Sequence, residues 1–584
     1  MLQDDQETTS ENSAYNSSVY RLRHSTAHVL AEAVCELFPG TKLGIGPPTD
    51  DGFYYDFLVP RAVTVEDLQV IEERMRSSIE AGLAFSGREV SREEAKDIEK
   101  DQPFKLEIID ELSETETVTF YRHGSFEDLC RGGHTDSTAE IVAFKLLSVA
   151  GAYWRGDETR PMLQRIYGTA FESQDDLDAH LIRLEEAQKR DHRRLGLELD
   201  LFLMDPIAPA SPFFLPKGTV VYQSLVRYVQ DLYQRSGYQE VITPQIFDTE
   251  LWKRSGHYDN YKDNMYFIRH EDREYGLKPM NCPAHALIYS SRLRSYRDLP
   301  IRFADFGRLH RYERSGVTHG LTRVRTFSQD DAHIFCTPDQ VAGEVRTLIN
   351  MYQQTYSLFK FKEVRIALSL RPEKRVGSDE IWDTAETALR RVLEEADLPF
   401  ESVTGEGAFY GPKIDFFVPD ALSREWQLGT IQLDFSLPER FDLEYVSDDG
   451  LRQRPVVLHK AMIGSLERFM GILIEHFAGA FPVWLAPVQA VIIPIADRHA
   501  EYAEHIRRQL SDGGLRVEVN DRNERMNSKI REAQLQKVPY MLIVGDREEE
   551  DKTVSVRLRS NEDMGSLAVG QAVEIIREAV SNNS

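Results

Sequence analysis

The chain has 584 residues, 41% apolar and 28% charged, with a net charge of −26. That length fills several cores, and the acidic balance excludes diffuse, charge-driven nucleic-acid binding while leaving room for a local basic surface. No stretch suits a bilayer, since the greasiest, 469–496, is broken by Glu475, His476, Pro482, Pro487 and Pro494, and four dispersed cysteines exclude a disulfide framework.

Residues 1–18 read as a polar, flexible lead-in without the charged and apolar halves of a signal peptide. A first α+β unit, 19–190, opens on an expected helix at 24–38 and contains a strand-like piece at 117–121. It ends in a charged helix, 175–194, whose packing stripe is Leu177, Leu181 and Leu184. Pro206, Pro209, Pro212 and Pro216 then forbid a continuing helix. An amphipathic helix at 217–236 and a strand at 240–242 follow, ending at Pro244. Through 191–484 strands and occasional helices lack βαβ alternation, which predicts an antiparallel α+β unit. The last segment, 485–584, does alternate, with strands at 489–495, 516–519 and 540–545 and helices at 500–510 and 527–536. It reads as an α/β module on a largely parallel sheet.

Chemistry-bearing residues cluster in the central unit. Arg311-Tyr-Glu313 ends a strand-like run, 301–310; a turn-rich loop, 314–320, follows, and a second strand carries Arg323 and Arg325. Several guanidinium groups around one loop suit a phosphate-bearing ligand, although on these residues alone surface ion pairing is the favoured reading. Gly464-Ser-Leu-Glu-Arg468 lies in an apolar helical run, which predicts a small residue and an arginine on one face. Cys282, His333 and His459 are metal-capable but scattered, so spacing alone gives no zinc signal. In the first unit, His24 and His28 share a helical face, and Cys130 and His134 add two donors; a metal or hydrolytic site and a purely structural role both remain open. There is no Walker P-loop, G-x-S-x-G elbow or Rossmann fingerprint.

In order, the helix and strand ending at Pro244, Arg311 to Glu313 with its return strand, and Gly464 to Arg468 resemble motifs 1, 2 and 3 of class II aminoacyl-tRNA synthetases. Longer strings are similar to threonyl-tRNA synthetases: Lys278-Pro-Met-Asn-Cys282, Arg323-Val-Arg-Thr-Phe-Ser-Gln-Asp-Asp-Ala-His333, Tyr410-Gly-Pro-Lys413, His24-Ser-Thr-Ala-His28 and Gly151-Ala-Tyr-Trp-Arg-Gly-Asp157. The resemblance covers nearly the whole chain from about residue 20. Many bacterial members carry a ubiquitin-like domain before this unit, and about 18 polar residues stand there instead, so the expected type lacks it. Gly132-Gly-His134 also replaces an expected Gly-Pro-His.

The resemblance implies a multidomain α+β fold: a class II antiparallel sheet core, an N-terminal editing domain and a C-terminal anticodon-binding domain. It implies a cytoplasmic homodimer, with no membrane association, that takes L-threonine, ATP with Mg²⁺ and tRNA(Thr). One zinc per subunit is expected on Cys282, His333 and His459. Threonine would ligate it through amine and hydroxyl, which rejects isosteric valine; an apolar pocket separates such pairs by only about a hundredfold. Asp331 would receive the hydroxyl hydrogen, with Gln329, Tyr410 and Lys413 around the pocket. Arg311 would hold the α-phosphate, Arg323 and Arg468 the γ-phosphate or adenine face, Glu313 the adenine amino group, and His257 would assist transfer to tRNA. Serine passes such a filter, so His24, His28, Cys130 and His134, with Lys105 and Asp128, are expected to hydrolyse seryl-tRNA; metal-free hydrolysis is the favoured reading, and zinc on this set, as in related alanyl-type editing modules, is the alternative. From Leu485 onward 14 Lys and Arg face 17 Asp and Glu, so anticodon readout should use hydrogen bonds to splayed bases, with Asn523, Glu548 and Arg557 as candidates. A prolyl- or seryl-type ligase would have no reason to combine the Cys-His-His set with such an editing unit. A non-catalytic paralogue would have lost Arg311 or Arg468. A metal-dependent hydrolase would leave most of the chain unexplained.

Overall fold

Ser17 caps the first helix, Ser18–Leu37, its Oγ accepting the amide of Tyr20 at 3.1 Å. The computed structural model describes residues 17–582 except 114, 115 and 423. Most of the expected flexible lead-in, 1–16, therefore lies outside the described residues, whereas Ser17 caps the helix and Ser18 begins it. The chain divides into two units, Met1–Glu185 and Glu186–Ser584.

In the first unit, the opening helix buries Leu22, Leu30 and Val34 against a five-stranded antiparallel sheet built on Gly52–Leu58, Met162–Phe171 and Ala143–Tyr153. A second, three-stranded sheet orders Phe85–Val90, Val118–His123 and Phe126–Leu129. The expected strand at 117–121 is its middle member.

The charged helix at 175–194 is two helices. Gln174–Arg190 ends, and Asp191 caps His192–Glu198 by accepting the amide of Arg193 at 2.8 Å. Aspartate competes for backbone N–H groups and so favours a cap over a helix interior. In the second unit, the proline-rich stretch forms a short hairpin, Phe202–Met204 with Pro212–Phe214, and Pro216 opens the helix Pro216–Arg235.

The central sheet has eight strands in the order Gln239–Glu240, Ile301–Asp305, Asp331–Cys336, Val456–Ala461, Glu425–Asp434, Lys413–Pro419, Arg365–Ser369 and Glu401–Val403. The two outermost pairs are parallel and the rest antiparallel. The single strand expected at 301–310 splits: Ile301–Asp305 stays in this sheet, while Arg308–His310 pairs with Thr326–Ser328 in a separate ribbon. Arg323 and Arg325 precede that ribbon strand rather than lying on it. Gly464 is likewise outside the helix where it was expected. Its φ of +70° is a left-handed conformation that ends the preceding segment, and Ser465 caps the helix Leu466–His476. Leu466, Phe469, Met470 and Leu473 of that helix sit in the core beneath the sheet.

The C-terminal module has a five-stranded sheet in the order Val517–Val519, Ala490–Pro494, Tyr540–Val544, Thr553–Leu558 and Asp563–Ala568. The first three strands are parallel as expected. The last two, absent from the sequence reading, are antiparallel because only a short connection joins them.

Candidate active site

Sheet register gathers what the sequence scatters. His333 pairs directly opposite His459, and Gln432 stands opposite His459 on its other side. Side chains alternate along a strand, so Asp331 and His333, His459 and Ala461, and Thr430 and Gln432 face the same cavity of about 570 Å³. Cys282 opens the helix Cys282–Ser290, and its Sγ lies within 4.8 Å of ring nitrogens of both histidines.

Hydrogen bonds fix the ring orientations. His459 Nε2 is 2.7 Å from Asp434 Oδ2, a carboxylate that only accepts, so Nε2 carries the proton. His459 Nδ1 faces His333 Nε2 at 2.9 Å, and His333 Nδ1 meets His285 Nδ1 at 2.8 Å. Burial keeps His333 neutral and pushes the Cys282 thiol up. One sulfur and two imidazole nitrogens, buried and convergent, form a donor set that fits zinc with positions left for a small ligand. Asp434 was missed in the sequence, although Thr430-Ile-Gln-Leu-Asp434 shows the polar alternation of a strand face lining a site.

Arg311, Arg323 and Arg468 line the same cavity. Each is tethered through Nε: Arg311 to the Pro279 carbonyl at 3.2 Å, Arg323 to Glu313 at 2.9 Å and Arg468 to the Thr322 carbonyl at 2.9 Å. Burial, then the neighbouring Arg323 and Arg311, pull Arg468 below the ordinary guanidinium value. Crowded cations of this kind make a receptor for a polyanion. Gln329, Glu313 and Asp331 line the cavity too. Burial pushes Asp331 up to about 6, and Asn281 Nδ2 donates to it at 3.0 Å. Tyr410 donates to Gln432 Oε1 at 3.0 Å.

Two expected members stand apart. Lys413 pairs with Asp415 at 2.8 Å and is not among the lining residues. His257 occupies a small space behind the cavity, shared with Cys282, Tyr410, Asp434 and His459, where Nδ1 contacts Ser255 Oγ at 2.7 Å and burial lowers the ring to about 4. Sequence reading also missed Asp330, a buried carboxylate that accepts the amides of Met462, Ile463 and Gly464 and the Tyr233 hydroxyl, pinning the segment before the arginine-bearing helix.

In the first unit, a cavity of about 700 Å³ is lined by His24, His28, Tyr55, Lys105, Asp128 and Cys130. Cys130 Sγ lies 3.4 Å from His24 Nε2 and 3.2 Å from His134 Nε2, and the four donor atoms stay within 4.8 Å of one another. Burial holds His24 at about 4, lowers His28 and His134 as well, and pushes the Cys130 thiol up to about 12. Neutral imidazoles beside a protonated thiol suit proton abstraction better than thiolate attack. Lys105 and Asp128 form a buried ion pair at 2.7 Å, and Lys105 also donates to Tyr55 at 3.1 Å.

In the C-terminal module, Asn523 and Glu548 follow the carboxyl ends of two parallel strands, and Glu548 accepts the amide of Gly545 at 3.0 Å. Arg557 stands opposite Met541, at the start of the strand Tyr540–Val544, so the three do not share one end of the sheet.

An antiparallel sheet carrying an arginine-lined cavity between a ribbon and a capped helix defines a class II aminoacyl-tRNA synthetase, and residues 261–477 match the tRNA synthetase class II core domain (G, H, P, S and T). Residues 489–579 match an anticodon binding domain, and 118–167 the threonyl and alanyl tRNA synthetase second additional domain. Among curated relatives, the threonine–tRNA ligase of Thermotoga neapolitana is 52% identical over 562 residues, spanning 96% of this chain and 88% of the relative, and that of Desulforamulus reducens is 50% identical over 575. The chain belongs to the threonine–tRNA ligase family. The RNA binding domain of threonyl-tRNA synthetase from Cryptosporidium parvum Iowa II has a similar crystal structure, with a TM-score of 0.65 and 44% identity over 67% of this chain and 98% of that one.

Proposed function

We propose that the central cavity activates L-threonine with ATP and passes it to tRNA(Thr), and that the first unit hydrolyses seryl-tRNA(Thr). The observation that carries this reading is one cavity lined by both a Cys-His-His donor set and three tethered arginines. Cys282, His333 and His459 would hold a zinc ion, which supplies a Lewis-acid anchor for the amine and hydroxyl of threonine that valine cannot satisfy. Asp331 accepts the hydroxyl hydrogen, and Gln329 and Tyr410 close the amino-acid end. Arg311 holds the α-phosphate as the threonine carboxylate attacks it and pyrophosphate leaves. Arg323 and Arg468 hold the γ-phosphate or the adenine face, and Glu313 the adenine amino group. Preorganised cations stabilise the charge that grows on phosphorus-bound oxygens, aided by the Mg²⁺ that accompanies ATP. His257, neutral and buried beside the donor set, assists proton removal from the terminal ribose hydroxyl of tRNA.

In the first unit His24, His28 and His134, with Cys130, position and deprotonate a water without metal, while Lys105 and Asp128 orient the ester. Asn523 and Glu548 read the anticodon, their place at strand carboxyl ends being where open α/β sheets offer ligand sites. Arg557, opposite Met541 at the other end of the sheet, would contact RNA away from Asn523 and Glu548. The homodimer forms across the edge strand Gln239–Glu240, beyond which Ile242 is 91% exposed, an apolar edge that a second copy would cover. No helix among the described residues is long and apolar enough to cross a membrane, and all four cysteines are free, which supports a cytoplasmic location.

The deciding measurement is amino-acid-dependent ATP–pyrophosphate exchange with metal analysis of the same preparation. Exchange with threonine, weaker exchange with serine, none with valine, and about one zinc per chain are expected. Exchange driven by valine, or a metal-free chain that still discriminates, would overturn the zinc assignment.

A further inference from the structure

His192 is a fully buried histidine outside the matched core segment, and nothing above gives it a role. Its Nε2 lies 2.9 Å from the amide nitrogen of Leu321, and its Nδ1 lies 2.6 Å from Glu475 Oε1. Its own amide reaches the same carboxylate oxygen at 3.1 Å. A backbone N–H only donates, so Nε2 is the acceptor and the ring proton sits on Nδ1, toward the carboxylate. Asp191, His192 and Glu475 offer donor atoms close enough for a metal ion. Both ring nitrogens already have protein partners, however, so the imidazole is a strut rather than a ligand.

What the strut joins gives it meaning. Leu321 precedes Thr322, whose carbonyl accepts Arg468 Nε, and Arg323, which lines the cavity. Glu475 lies on the same helix as Arg468, Leu466–His476, and is also paired with Arg424. One imidazole thus spans the loop and the helix that together carry two of the three cavity arginines. The backbone is shaped to the ring: Gly320 has φ +47°, and a Cβ there would sit 2.1 Å from His192 Nε2.

We propose that His192 is a positioning residue for ATP, holding the 320–323 segment against the helix so that Arg323 and Arg468 meet the triphosphate together. This rests on the reading of those arginines as ATP ligands. Glutamine at this position reaches as far as Nε2, and its amide oxygen can accept from Leu321. Asparagine reaches only as far as Nδ1, keeping Glu475 and losing Leu321.

ATP–pyrophosphate exchange by the full chain, with KM measured separately for ATP and threonine, tests the proposal. H192N is expected to raise the ATP KM about tenfold while the threonine KM stays within about twofold, and H192Q to rescue most of that loss. G320A, which displaces the ring without removing it, is expected to raise the ATP KM selectively and decides the matter if H192N does not fold. Equal effects of H192N and H192Q, parallel rises in both KM values, or a lowered thermal midpoint with unchanged KM would overturn the role of His192. R468A separates the two readings: an unchanged ATP KM in R468A removes the ATP-site assignment itself, whereas a raised one beside an unaffected H192N removes only the strut.

Discussion

Asp434 divides its two oxygens between two duties. Oδ1 accepts the amides of Ser436 and Leu437 at 2.7 and 3.0 Å, and Oδ2 accepts from His459 Nε2, which turns Nδ1 toward the donor set. An amide side chain has only one oxygen, so Asp434→Asn must either release the turn or present an NH₂ to His459 Nε2–H. Zinc affinity, measured by chelator competition, is expected to fall about 10- to 100-fold, the usual cost of losing the partner that orients a ligating imidazole. Unchanged affinity would show that packing alone holds the ring. The same residue-scale logic explains the three arginines: each is fixed through Nε before any ligand arrives, so little side-chain entropy remains to be lost on binding.

Among the elements, the helix Leu466–His476 would, on the proposed ATP site, couple stability to nucleotide binding at its first turn. Ser465 Oγ accepts the Arg468 amide at 3.0 Å, and Ser465 itself lines the cavity. Serine is a good cap because its short side chain satisfies an amide that the helix leaves without a partner, and the positive end of the helix dipole then lies at the cavity proposed to take the triphosphate. Ser465→Ala is expected to cost about 1 kcal/mol in stability by denaturant titration. Ser465→Asp keeps the cap and so keeps stability, but it sets a carboxylate against the phosphates and is expected to raise the ATP KM about tenfold. If Ser465→Asp bound ATP as the parent does, the helix terminus would not face the triphosphate.

Within the second unit, the C-terminal module is clamped to the segment that leaves the core. Arg516 donates through Nε to the Ala486 carbonyl at 3.0 Å and through Nη2 to the Trp484 carbonyl at 2.7 Å, and Arg559 donates to the Phe481 carbonyl at 2.7 Å. Burial lowers Arg516 to about 10, so the guanidinium gives up hydration for these carbonyls. Arg516→Met leaves two buried acceptors unpaired and loosens the module. The tRNA KM in aminoacylation is expected to rise about fivefold. Exchange, which uses no tRNA, should be unchanged. An equal fall in exchange would place Arg516 in support of the core instead.

The sequence by itself determined the family, because arginine-bearing strings and ligand types are carried in local sequence, and it named many of the residues that line the two cavities. It also fixed helices with clear periodicity and the proline break before Pro216. Tertiary structure alone decided which scattered residues converge. His333 and His459 meet only because antiparallel register sets them opposite each other, and Cys282 arrives from a helix far away in sequence. Breaks such as Asp191, Gly464 and the split after Asp305 depend on caps, a left-handed residue and a change of sheet, none of which alters hydrophobic period. Residues that work through others, Asp434, Asp330 and His192, remained hidden because their significance lies in which atom each one holds, and that is a property of the folded geometry rather than of the string.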